Sequence, residues 1–179
     1  MVLNPIINEK FRNAFEHRCL QLMFDGYKAI IFENTLQLTW SENDISAELH
    51  RHIKENPLRL KWKVSSNVEE NVPKNIPRTR GFADKYPRID FRLTSFTKNG
   101  EYEYFFEAKN LRQNDTVLKR RYITTGIDHF VTKRYPNGSL IGYLLEGGID
   151  ATVKGINRLL ARDNRQSVSA LPSTYFLSN

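Results

Sequence analysis

The chain has 179 residues, 40% of them hydrophobic and 12% aromatic, enough to bury the core of one domain. Lys and Arg outnumber Asp and Glu by 27 to 20, giving a net charge of +7, and this favours polyanionic partners because basic side chains displace condensed counterions from phosphates. No segment approaches the roughly 20 consecutive apolar residues of a membrane span, the N-terminus lacks the layout of an export signal, and Cys19 as the one cysteine excludes an internal disulfide or a zinc site built on two thiolates. A soluble protein of the reducing cytoplasm is expected.

No repeat, low-complexity tract or Gly/Ser/Pro-rich linker divides the sequence, so residues 1–179 are expected to form one domain, with a core at about 40–165 and a short C-terminal tail. Phe11, Phe15, Cys19, Leu22 and Met23 recur at helical spacing and predict a helix over 8–25, ending near Gly26. In SENDISAELHRHIKENP, Ser41 with Asp44 three residues on forms a capping-box signature. Ile45, Leu49 and Ile53 supply the apolar stripe, and Pro57 lies beyond the end. Residues 59–66 alternate Leu60, Trp62 and Val64 with polar residues, as a half-buried strand does. The run from Val68 to Pro87, with three prolines, reads as a loop.

Residues 88–110, RIDFRLTSFTKNGEYEYFFEAKN, read as a hairpin. Asn99-Gly100 is a strong type I′ turn signal, because that turn needs positive φ at both central positions. A two-residue turn there sets Lys98 opposite Glu101, Asp90 opposite Lys109 and Arg92 opposite Glu107, all on one face. Phe91, Leu93, Phe106 and Ala108 take the other, core-facing side. After the hairpin a helical pattern over 115–138 has an interruption at Thr124, Thr125 and Gly126, where Thr125 and Asp128 are placed to cap a second helix. SLIGYLLEGG predicts a strand covered on both faces, and DATVKGINRLLARDN a last helix capped by Asp150 with Val153, Ile156 and Leu160 inward. This order predicts an α/β three-layer sandwich: a central mixed sheet flanked by helices.

The shared face of the hairpin carries the chemistry. Cross-strand neighbours have Cβ atoms roughly 4.5–5.5 Å apart, so Asp90, Glu107 and Lys109 come within reach of one ion. Two close carboxylates repel each other, and a hard cation such as Mg²⁺ relieves this by taking oxygens from both. A lysine alongside can orient water and stabilise charge developing on a phosphate.

These residues resemble the PD-(D/E)xK nuclease superfamily, to which restriction endonucleases belong. Asp90 matches its first acid and Glu107-Ala108-Lys109 its E-x-K element, a triplet that occurs once in this chain. Pro87 stands three residues before Asp90 instead of one, a departure from the pattern. The resemblance implies a restriction-endonuclease-like core ordered αβββαβ and Mg²⁺- or Mn²⁺-dependent hydrolysis of DNA. It also implies a helical glutamate at the site, here Glu48, a metal-ligating Ala108 carbonyl, and DNA contacts from Lys119, Arg120 and Arg121 on the next helix. With little chain left for target recognition, a homodimer or a partner protein is expected to supply specificity or activation, and family habit suggests restriction or phage defence. A non-catalytic nucleic-acid-binding or scaffolding subunit, and a ribonuclease on the same fold, are the alternatives.

Other candidates have plainer readings. Arg92 is expected to pair with Glu107 or a phosphate. His50 and His52, two apart on a helix, point to different faces. His129 is expected to be a packed or solvated helix residue, Tyr122 to pack with room to line the cleft, and Trp40 and Trp62 to belong to the core. Further basic clusters are Arg78 with Arg80, Lys133 with Arg134, and Arg158, Arg162 and Arg165.

Overall fold

The computed structural model describes residues 5–71, 88–97 and 100–165; Arg78, Arg80, Pro87 and Asn99 lie outside them. The elements run α1 (Pro5–Glu33), α2 (Glu42–Glu55), α3 (Pro57–Lys61), β1 (Val64–Asn71), β2 (Arg88–Thr97), β3 (Gly100–Arg112), α4 (Thr116–Arg121), a π-turn (Tyr122–Ile127), α5 (Asp128–Val131), β4 (Gly138–Glu146) and α6 (Ile149–Arg162). The four strands form one mixed sheet in sequence order, antiparallel from β1 to β3 and parallel between β3 and β4. The α/β class and the order of elements agree with the sequence reading.

Both faces of the sheet are covered. Phe91, Leu93, Tyr104, Phe106 and Ala108 pack with Phe15, Cys19, Leu22, Leu49 and Ile53 of α1 and α2. On the other face Leu111, Leu140 and Leu144 pack with Tyr122, Ile123, Ile127, Ile156 and Leu160, while Ile89 and Phe105 meet Tyr135 and Phe130. Each large apolar side chain so buried contributes about 1.5–3 kcal/mol. As β4 is predicted to be, it is packed from both sides. Trp40 is half-buried, and Trp62 packs against the α1/α2 core. No described helix is long and apolar enough to cross a membrane.

Several boundaries differ from the sequence reading. Helix α1 runs through Gly26, where a Cβ would stand 3.0 Å from the Leu49 side chain; the glycine lets α2 approach closely. The helix ends instead at Asn34, with φ 52° and the Thr35 N–H returned to the Ile30 carbonyl. Helix α2 has the predicted capping box, Ser41 and Asp44 each accepting the other's backbone N–H. Residues 59–61 are helical, because Asn56 caps and Pro57 opens a short α3. Lys63 at φ 55° stops it, and β1 starts only at Val64 and extends to Asn71.

The β2–β3 register is two residues from the predicted one. Thr97 pairs with Gly100, Leu93 with Tyr104 and Phe91 with Phe106, where the ladder ends. This register sets large apolar side chains opposite each other, whereas the predicted one faces Phe91 with Ala108. A shift of two preserves the faces, so Phe91, Leu93, Phe106 and Ala108 are core residues as expected, each at most 1% exposed. Arg92 pairs with Glu103 and Glu101 in place of Glu107.

The interruption at 124–126 is a π-turn within a continuing helix, with no side-chain cap before Asp128. Thr124 and Thr125 donate their hydroxyls to the Arg120 and Arg121 carbonyls, at 3.0 and 2.9 Å. Gly126 lies against Leu140, where a Cβ would be 2.8 Å away. Helix α6 begins after Gly148, and Asp150 sits in its first turn without capping; Thr152, Ile156 and Leu160 are the buried stripe, with Val153 half-buried.

Candidate active site

Beyond Phe91 the first residues of β2 leave the β3 ladder while keeping their pairing with β1, Ile89 with Glu70 and Arg88 with Asn71. The resulting gap is where the predicted acids meet. Asp90 turns its carboxylate into it, and Oδ2 accepts the Ala108 N–H at 2.6 Å, taking the place of a backbone carbonyl. Glu107 and Lys109, on the same face of β3, are each only 5% exposed. Lys109 Nζ lies 2.8 Å from Glu107 Oε1 and 3.7 Å from Asp90 Oδ2, and donates to the Ala108 carbonyl. The structure thus brings together Asp90, Glu107, Ala108 and Lys109, as the sequence predicts, with Glu107 and Lys109 buried and Asp90 half-buried.

Glu48 is not the helical acid of this cluster. It accepts hydrogen bonds from Thr35 and Arg51 and lies 3.4 Å from His52. Six residues on an α-helix amount to 600° of rotation, and the acid that faces the gap is Glu42, at the opening turn of α2. Its Oε1 is 3.2 Å from Lys109 Nζ and its Oε2 accepts the Asn110 N–H at 2.9 Å. The Ser-Glu-Asn-Asp cap locates this turn, but an acid in a first turn is ordinary dipole chemistry and gives no sign of a site.

From the opposite layer come two groups the sequence reading did not place here. His129 Nδ1 is 3.8 Å from Glu107 Oε1. Tyr135 is 1% exposed and donates to the Arg88 carbonyl at 2.6 Å. Its phenol is held above its ordinary range by burial and then by the charge of Glu107 beside it. Tyr122 is buried in the α4–α6 layer and lines no part of the gap among its described contacts.

Three carboxylates therefore surround one ammonium. Burial raises the Asp90 carboxyl above its usual range despite the Ala108 N–H and Lys109, and raises Glu107 despite its pairing with Lys109. For Lys109 burial acts to lower the pKa, but Glu107, Asp90 and Glu42 together outweigh it and hold the ammonium more firmly protonated than usual. Glu107 Oε2 is buried with no hydrogen-bond donor among the described residues. Carboxylate oxygens are the donors a hard divalent cation takes; here Lys109 Nζ stands among them, 3.2, 3.7 and 2.8 Å from Glu42, Asp90 and Glu107, and the three carboxylates do not all bring a ligand atom within 4.8 Å of one another.

The predicted basic triplet divides. Lys119 is buried, donating to the Gln113 carbonyl at 2.7 Å beneath Gly155. Arg120 pairs with Asp163. Arg121 alone is exposed beside the site, 3.9 Å from Glu42. Successive helical residues point 100° apart, so three in a row do not share one binding face. A second acidic group, Glu33, Glu48 and His52, has ligand atoms within 4.8 Å of one another, but Arg51 Nη2 already sits among them at 3.0, 2.8 and 2.8 Å.

Comparisons of the chain with protein-family models, with curated proteins and with solved structures return no match.

Proposed function

We propose that this protein is a Mg²⁺- or Mn²⁺-dependent nuclease with a restriction-endonuclease-like core that hydrolyses phosphodiester bonds of DNA. The observation that carries the reading is the set of Glu42, Asp90 and Glu107 around the buried Lys109, with Glu107 Oε2 left without a donor among the described residues. Asp90 and Glu107, with the Ala108 carbonyl, would hold the cation, and Glu42 would stand beside it. A divalent cation there would supply Lewis acidity toward a phosphate oxygen.

The chain's own groups divide the remaining work. In hydrolysis a water oxygen bonds to phosphorus while an ester P–O bond breaks, and negative charge grows on the phosphoryl and leaving oxygens. Lys109 stabilises that charge by turning an N–H now given to the Ala108 carbonyl or to Glu42 toward the phosphate. Glu42 keeps the lysine at the gap, and Arg121 at the rim receives the flanking phosphate.

Purified protein incubated with supercoiled plasmid, linear duplex, single-stranded DNA and RNA tests this. Cleavage of DNA in Mg²⁺ or Mn²⁺ that stops in EDTA and in Asp90→Asn is expected. Cleavage of RNA alone would move the reading to a ribonuclease. The burial and full pairing of Lys109 favour a second reading, a structural ion cluster in a non-catalytic nucleic-acid-binding subunit. Salt-sensitive binding with no cleavage of any substrate is its signature.

A further inference from the structure

The spacing between Asp90 and Glu107 matters to any cation they share, yet no β2–β3 backbone pair sets it, because that ladder ends at Phe91 and Phe106. Two side-chain hydrogen bonds take its place. One is Asp90 Oδ2 to the Ala108 N–H; the other runs from the Tyr135 hydroxyl to the Arg88 carbonyl, two residues before Asp90. The Tyr135 ring is fixed on β3 by stacking on Phe105 at a centroid distance of 5.9 Å, and held from α5 by an edge contact with His129 at 5.8 Å and a tilted contact with Phe130 at 5.6 Å. Its hydroxyl is therefore a rigid strut from β3 to the start of β2. That hydroxyl gives its one proton to the Arg88 carbonyl, and Glu107 Oε2 has no hydrogen-bond partner among the described residues.

We propose that Tyr135 is a positioning residue of this site: it sets the distance between Asp90 and Glu107 at which the two share a divalent cation. The proposal rests on the nuclease reading. Neither ligand is touched by changing it, since Tyr135→Phe keeps the ring and its stacking and removes only the hydroxyl.

Tyr104→Phe is the matched control. Tyr104 is equally buried on the opposite face, and its hydroxyl bonds Glu16 at 3.0 Å and Ser139 at 2.8 Å. It loses similar hydrogen bonding with no link to the acids. Mn²⁺ affinity of the intact protein, measured by calorimetry, is expected to fall about tenfold or more in Tyr135→Phe, the usual effect of removing a partner that orients a ligand, and to stay at the wild-type value in Tyr104→Phe. Amide exchange at Ile89 and Asp90 is expected to quicken in Tyr135→Phe alone. DNA cleavage at saturating Mn²⁺ is expected to lose kcat with KM unchanged. Wild-type Mn²⁺ affinity in Tyr135→Phe, or an equal loss in both variants, overturns the role of Tyr135 while the nuclease reading stands. A wild-type protein that binds no Mn²⁺ at millimolar concentration overturns that reading itself, and the strut with it.

Discussion

Glu42 and Glu48 lie six residues apart on α2, and each belongs to a set of acids gathered around one cation. Around Arg51 stand Glu33, Glu48 and Glu55 at 3.0, 2.8 and 3.0 Å, with His52 beside them. A guanidinium offers five donors in a planar fork, so several acceptors are served at once, near water. Lys109 offers three N–H bonds from one point. It is shared among Glu42, Glu107 and the Ala108 carbonyl, and it leaves Glu107 Oε2 unserved in a buried gap. Both set three carboxylates about one cation, but each outer acid accepts a hydrogen bond from Arg51, whereas Glu107 Oε2 of the inner cluster has no donor among the described residues. Their carboxyl groups shift in opposite directions as a result. Hydrogen bonds from Arg51 lead in lowering Glu48, whereas burial leads in raising Asp90 and Glu107.

The contrast breaks most sharply in cleavage assays. Asp90→Asn and Glu107→Gln are each expected to lower DNA cleavage by about 10³-fold or more, the scale of losing the principal electrostatic stabilisation of a transition state. Glu48→Gln is expected to cut at nearly the wild-type rate. If Glu48→Gln is the inactive variant, the two clusters have been assigned the wrong way round.

Stability separates them next. Lys109→Met keeps most of the side-chain volume but leaves the buried Glu107 and the half-buried Asp90 and Glu42 without their ammonium, at an expected cost of about 3–5 kcal/mol at neutral pH. Chemical denaturation with and without Mg²⁺ checks this, and the cation is expected to return much of the loss. Arg51→Met, nearer water, is expected to move the unfolding midpoint far less. Equal losses would mean that the inner lysine is as well served by solvent as the outer arginine.

The pH dependence sharpens the comparison through its sign. An acid whose pKa is raised by folding binds protons more tightly in the folded state, so Asp90 and Glu107 favour folding when protonated and cost stability as pH rises from about 4 through their raised values. Glu48, lowered by folding, contributes stability above the ordinary carboxylate range that is lost as pH falls through its lowered value. Unfolding midpoints of metal-free protein against pH are expected to lose part of their decline above about pH 4 in Glu107→Gln and their acid-side decline in Glu48→Gln. Lys109, with a raised pKa, holds its contribution through neutral pH and loses it only at strongly alkaline pH.

The smallest expected effect is on nucleic-acid binding. Arg121→Ala is expected to reduce the salt slope of DNA affinity by about one counterion. Lys119→Ala and Arg120→Ala, both turned away into intramolecular partners, are expected to leave the slope unchanged.

What was legible in the sequence was what local periodicity controls. Alternation along 88–97 and 100–112 assigned the faces correctly even though the register came out two residues away, because a shift of two leaves every side chain on its own side. Turn chemistry at Asn99-Gly100 suggested one register, while opposing Phe91 with Phe106 and Leu93 with Tyr104 favours the other. The cap at Ser41 located α2, but its rotation about its own axis, which decides between Glu42 and Glu48, depends on how it seats against α1 through Gly26. His129 and Tyr135 reach Glu107 from over twenty residues away in sequence, through a loop whose path no local signal encodes. The same limit applies to Lys119, whose burial depends on Gly155 of α6 leaving room above it.

The π-turn at Tyr122–Ile127 gives the helix after β3 an unusual tolerance in length and none in phase. A π-turn holds an additional residue compared with α-helical winding, so deleting one residue between Tyr122 and Ile127 would let the segment rewind as a regular helix with little loss of helical hydrogen bonding. Everything downstream would then turn by about 100°. His129 would swing off Glu107, and Tyr135 would no longer meet the start of β2. Such a deletion would yield a protein with near-wild-type helix content whose two far-side neighbours of Glu107 are out of step with it. In this helix the count of residues, more than their kind, keeps the two layers in synchrony across the gap.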